Sequence, residues 1–89
     1  MAWALIYSRQ VERDLDDLDA PVRKRIMKFL DERLRKLEDP RSVGEALKGS
    51  RYGELWKYRV GDYRIIAKIE DRVVQILIVR IGNRREVYR

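Results

Sequence analysis

Residues 55–71 read LWKYRVGDYRIIAKIED, and this stretch decides the fold. Apolar or aromatic residues alternate with polar ones on both sides of Gly61-Asp62, a pair suited to a two-residue hairpin turn. The pattern predicts strands over Glu54–Val60 and Tyr63–Ile69, with Val60 opposite Tyr63 and Arg59 opposite Arg64. Trp56, Tyr58, Val60, Tyr63, Ile65, Ala67 and Ile69 then share one face, while Leu55, Lys57, Arg59, Arg64, Ile66 and Lys68 share the other. A sheet with one apolar face has to bury it against another layer.

That layer is legible upstream. Residues 2–7 (AWALIY) read as a first strand, and Ser8 is placed to cap a helix with Val11, Leu15 and Leu18 on its apolar stripe. Asp14, Asp16 and Asp17 are expected on its outer face. Asp19 and Pro21 suit the start of a second helix, whose stripe is Val22, Ile26, Phe29, Leu30, Leu34 and Leu37 and which Pro40 ends. Residues 40–53 carry a proline and three glycines and form the long connection, with a short turn expected over Glu45–Lys48 around Leu47. Downstream, Asp71-Arg72 is expected to turn the chain into a third strand, Val73–Ile81. The fold expected is a two-layer α+β domain spanning residues 1–89: an N-terminal strand, an antiparallel helix hairpin and a three-stranded antiparallel meander, with one sheet face left open.

Composition narrows the chemistry that this open face can carry. With 89 residues the chain has room for one core, and its 45% apolar share is enough to build it. It contains neither cysteine nor histidine, so disulfides, thiolate metal sites and every imidazole-based triad are excluded. No apolar run approaches the roughly 20 residues needed to span a bilayer. The opening MAWALIYSRQ lacks the pattern of a signal peptide, so a cytoplasmic location without membrane contact is expected.

The net charge of +6 is unevenly spread. Residues 1–50 hold 11 basic against 10 acidic side chains, and residues 51–89 hold 10 against 5. Such a half attracts polyanions, although a merely solvated surface has the same composition. Position says more. Two arginines directly across an antiparallel pair repel, and Lys57 lies one same-face step away. This grouping fits an anion site, most simply for phosphate, or else a casual basic surface. The terminal run IGNRREVYR adds Arg84, Arg85 and Tyr88, which a bend at Gly82-Asn83 would return to the open face. A ring beside arginines suits stacking of an RNA base, while the alternative is a frayed tail with its tyrosine tucked into the core.

Taken together, LWKYRVGDYRIIAKIED and the later VRIGNRREVYR resemble the signature of the RelE/ParE superfamily of toxins, and the likeness extends over nearly the whole chain. Within it the chain resembles the RelE branch, whose members cut messenger RNA in the ribosomal A site without a metal. The resemblance implies catalytic roles for Lys57, Arg59, Arg64, Arg84 and Tyr88, and nucleic-acid contacts are expected from the further basic residues Arg85, Lys68 and Arg89. Three departures stand out: the turn between Arg59 and Arg64 is short, Asn83 replaces a residue that is often basic, and with Arg89 last no C-terminal extension is expected to close over the site.

Cleavage without a metal requires an aligned ribose 2′-hydroxyl, neutralised phosphate charge and proton transfer at both reacting oxygens. Arg64 is expected on the phosphate oxygens, Lys57 or Arg59 at the 2′-hydroxyl, Arg84 at the leaving oxygen and Tyr88 against the nucleotide. Lys57 is the better base of the two, because arginine holds its proton and neighbouring cations would ease the loss of a proton from lysine. No cofactor is expected. The partners implied are a cognate acidic antitoxin, the ribosome with its message, and operator DNA through the antitoxin complex alone. Two other readings remain: a ParE-like inhibitor of DNA gyrase, and a non-catalytic nucleic-acid- or protein-binding module on the same scaffold.

Overall fold

The computed structural model describes residues 2–47 and 55–83. Strand β1 (Ala4–Tyr7) leads into helix α1 (Arg9–Asp16) and helix α2 (Ala20–Lys28), followed by β2 (Glu45–Leu47), β3 (Leu55–Val60), β4 (Tyr63–Glu70) and β5 (Gln75–Asn83). The strands form one sheet in the order β1-β5-β4-β3-β2. β1 runs parallel to β5, and the other pairings are antiparallel.

Local chemistry accounts for the helical layer. Ser8 caps α1, its Oγ accepting from the Val11 amide at 3.1 Å. Asp19 precedes α2, which carries Pro21 in its first turn. The helical path continues past Lys28 as a wide π turn over Phe29–Arg33 and a tight turn over Leu34–Lys36. Ile26, Leu30 and Leu34 are fully buried at a strict spacing of four. An α-helix drifts about 40° over four residues, because it has 3.6 per turn. The wide turn cancels that drift and keeps Leu34 against the sheet.

The inward sheet face is the one expected. Tyr58, Ile65, Ala67 and Ile69 join Ile76, Ile78, Ile81, Val11, Ile26, Leu30 and Leu34 in the core, with Trp56, Val60 and Tyr63 packed beside them. The hairpin register also holds, pairing Val60 with Tyr63 and Arg59 with Arg64. Gly61 has φ +60° while Asp62 does not, the signature of a type II′ turn.

Four details differ from the expectation. Residues 45–47 form β2 rather than a turn, because β3 offers an edge with which they pair. The second hairpin uses a short helical turn, Asp71–Val73, with Val74 left-handed, so β5 starts at Gln75 instead of Val73. Gly82 and Asn83 extend β5 opposite Arg64 and Tyr63 instead of bending the chain. Asp14 is buried under β5 and is not on the outer face of α1.

Tyr58 ties β3 to the segment that precedes β2. Its hydroxyl donates to the Pro40 carbonyl at 2.7 Å, its ring packs against Phe29 at 6.0 Å, and a Cβ on Gly44 would lie 2.7 Å from its Cε1. Burial pushes the phenol up to about 12 from the ordinary 10.0, Arg41 partly opposing the shift and Asp39 adding to it. Because the folded value is the higher one, this stabilisation is complete below pH 10 and is lost as pH rises through 12. The full loss amounts to about 2–3 kcal/mol. Tyr58→Phe is expected to cost about 1–2 kcal/mol at neutral pH, leaving the Pro40 carbonyl unsatisfied. Urea midpoints of the two proteins should then converge near pH 11, and a gap that stays constant with pH would contradict the assignment.

Candidate nucleic-acid interface

The face of β3 and β4 turned away from the helices carries the basic cluster. Arg59 is exposed and sits directly across from Arg64, which is 5% exposed. On its other side Arg64 pairs with Gly82, which places no side chain there. Lys57, paired with Ile66, is the diagonal neighbour of Arg64 on the same face. Two arginines and a lysine thus meet within one hairpin.

The cluster is less open than strict alternation implies. Leu55 and Ile66 are buried together with Arg64, although neither apolar residue belongs to the main core. A guanidinium in such a setting interacts more strongly with an arriving anion than one in bulk water. Lys68 is exposed but stands apart, four residues along β4 from Arg64, or roughly 13 Å. Arg84, Arg85, Tyr88 and Arg89 lie outside the described residues.

The sequence reading missed the carboxylates that pair with cations on and around this sheet. Glu45 pairs with Lys57 across β2 and β3, its Oε2 3.4 Å from Nζ. Arg41 forms a two-pronged bridge to Asp71 at 2.7 and 3.1 Å and lies 5.8 Å from the Trp56 ring centre. The carboxyl of Asp71 is correspondingly held below its usual range, chiefly by that hydrogen bond. Asp14 reaches from α1 to β5, accepting from the Ile81 amide at 2.9 Å with Arg80 Nε at 3.4 Å. Helical spacing was the available signal: Asp14 lies three residues after Val11 and four before Leu18, on the inward stripe. The Glu45 pairing had no comparable signal, because it depends on a strand only three residues long.

Among known families, the model for the ParE toxin of type II toxin–antitoxin systems matches residues 5–88. The chain belongs to this family. It is a toxin of the type II toxin–antitoxin class. Solved structures of high similarity carry RelE names. The RelBE2 toxin–antitoxin complex of Mycobacterium tuberculosis superimposes with a TM-score of 0.84 at 23% identity, over 94% of this toxin and 100% of that chain. The RelE–RelB complex of Pyrococcus horikoshii OT3 gives 0.76 at 27%, over 97% and 99%. Isolated Escherichia coli RelE gives 0.72 at 23%, over 98% and 92%. No curated protein matches the toxin at a significant level. Among the described residues no helix is long and apolar enough to cross a membrane.

Proposed function

We propose that the toxin is a ribosome-dependent endoribonuclease that cuts messenger RNA in the A site and so stops translation. The observation that carries this reading is the meeting of Arg59 and Arg64 across one rung, with Lys57 diagonal to Arg64. Like charges so placed repel one another, and a phosphate relieves the repulsion. Arg64 faces the charge that develops on the phosphate oxygens, and Arg59 shares it from the exposed side. Lys57 is held as an ion-pair partner by Glu45, so it first contributes charge. To take the 2′-hydroxyl proton, Lys57 must leave that pair and first give up its own proton, so that it meets the hydroxyl as a neutral amine. Arg84 serves the leaving oxygen and Tyr88 the nucleotide, as the family resemblance implies. Arg85, Lys68 and Arg89 hold flanking backbone.

In this reading residues 1–89 act as one toxin domain in the cytoplasm, with no cofactor. An acidic antitoxin segment competes with RNA for the basic face, and operator DNA is met only through the antitoxin complex. The ribosome supplies the alignment that a site without histidine cannot provide by itself. Wild-type toxin added to a cell-free translation reaction should give new 5′ ends inside A-site codons, while the same message without ribosomes stays largely whole. Equal cutting of naked RNA would sink the mechanism. An intact translated message would turn attention to the second reading, inhibition of DNA gyrase, which the ParE description of the family favours.

A further inference from the structure

Arg80 falls outside the set that the sequence singled out, and a bulge decides which face it takes. Ile76 and Ile78 face the core, so strict alternation puts residue 80 on the core face as well. Ala67 pairs with Ile78 and Ile66 with Arg80, leaving Val79 as an extra residue in β5. The insertion returns Ile81 to the core and sends Arg80 to the side of Ile66, which is the open face. Two residues on, Gly82 pairs with Arg64. Arg80 is therefore the diagonal same-face neighbour of Arg64 on β5, as Lys57 is on β3, at roughly 7–8 Å.

Its surroundings hold the guanidinium by one edge. The last rung between β1 and β5 joins Tyr7 to Ile78, so the edge of β5 beyond it is met by α1 instead. There Arg80 Nε lies 3.4 Å from Asp14 Oδ2, the same oxygen that accepts from the Ile81 amide, while Gln10 donates to Oδ1 at 3.1 Å. The Asp14 side chain is 7% exposed and that of Arg80 is 42% exposed. A fixed carboxylate thus grips the Nε edge of a planar, five-donor group whose side chain remains accessible.

We propose that Arg80 is a further phosphate-binding residue of the open face, taking a backbone phosphate of single-stranded RNA adjacent to the one at Arg64 and Arg59. This rests on the RNA reading above, and it adds β5 to the strands that carry the site. The test uses full-length toxin and a short 2′-O-methyl RNA oligonucleotide, which cannot undergo 2′-hydroxyl attack and so reports binding without cleavage. Affinity is measured across roughly 50–200 mM salt. Arg80→Ala is expected to bind about 3- to 10-fold more weakly, with a log–log salt slope shallower by about 0.7, the value for one phosphate contact on a single strand. Arg80→Lys should keep the slope, and Lys24→Ala, an exposed cation on α2, should leave both quantities unchanged.

A wild-type toxin that does not bind the oligonucleotide, or an Arg80→Ala slope equal to wild type, overturns the assignment. Should Arg80→Ala fail to fold, Arg80→Gln, which retains a donor for Asp14 but sheds the charge, is read in the same way. The two proposals fail separately. A shallower slope beside an uncut translated message keeps Arg80 as a phosphate ligand and removes the nuclease. A cut message beside an unchanged slope removes Arg80 alone.

Discussion

Arg64→Ala is expected to lower the rate of message cleavage on the ribosome by about 100- to 1000-fold, the range found when a single preorganised donor to developing negative charge is removed. Arg64 occupies the central strand of the cluster, with Arg59 on one side and Gly82 on the other, and it is the least exposed of the three cations that meet there. Low exposure strengthens its field at a bound phosphate and fixes its guanidinium before the reaction. Arg59→Ala, at an exposed position, should cost about tenfold less, because water partly replaces what it supplies. Arg64→Lys should fall between wild type and alanine, keeping the charge without the planar fork. Single-turnover rates from end-mapped message would rank the variants, with a thermal melt for each to show that it is folded. An Arg64→Ala toxin that cuts within about threefold of wild type would remove this residue from the chemistry, since one oxyanion contact is worth far more than that.

That ranking depends on a register that the sequence reveals almost completely. Gly61-Asp62 sets which residues of β3 and β4 face each other, and period-two alternation sorts them between core and open face. Both inferences use contacts only a few residues apart, where local chemistry dominates. Legibility fails where a partner comes from elsewhere in the chain. The three residues of β2 have no strand character of their own and pair because β3 offers an edge, so the Glu45 carboxylate beside Lys57 could not be foreseen. The Val79 bulge reverses the facing of Arg80, and nothing in ILIVRIG marks the insertion point. Asp14 was misplaced for a different reason. Its spacing was right for the inward stripe, but a carboxylate is costly to bury unless something distant satisfies it, and that something is the amide of Ile81.

The three carboxylates recovered from the structure share one arrangement. Glu45 sits beside Lys57, Asp71 beside Arg41 and Asp14 beside Arg80, each joining two separate elements. A face assembled from like charges repels itself, and Glu45 and Asp14 at its margins offset part of that repulsion without entering the rung where Arg59 and Arg64 meet. The Arg41–Asp71 pair lies at the far end of β4 beside Trp56. The exposed pairs contribute little to stability individually. The Glu45 pair holds the long Lys57 side chain in place at the edge of the site, which lowers the ordering cost when an anion binds.

Asp14 differs from the other two because it is buried, and its removal should be the most damaging change to the fold among these residues. Asp14→Ala takes away a charge-assisted acceptor from the Ile81 amide at 2.9 Å, the contact with Arg80 and the hydrogen bond from Gln10. It also loosens α1 from β5 at the point where β1 has ended, where Ser8 still links the two, its Oγ donating to the Val79 carbonyl and its amide to the Ile78 carbonyl, each at 3.2 Å. Hydrogen bonds to a charged group contribute about 1.5–3 kcal/mol, and a buried amide left without an acceptor loses at the upper end of that range. Melting should fall by about 4–8 °C for each kcal/mol in a domain of this size, so a drop of about 10–20 °C is expected. Asp14→Asn, which still offers an oxygen to the Ile81 amide, should recover roughly half of the loss, because the acceptor remains while its charge does not. Ser8→Ala should fall well short of Asp14→Ala, since only a neutral helix cap and one hydroxyl contact are lost, about 1 kcal/mol. If Asp14→Ala melted within a few degrees of wild type, the seam between α1 and β5 would have to be held by apolar packing around Val11 together with the Ser8 contacts, and the carboxylate would serve Arg80 rather than the fold.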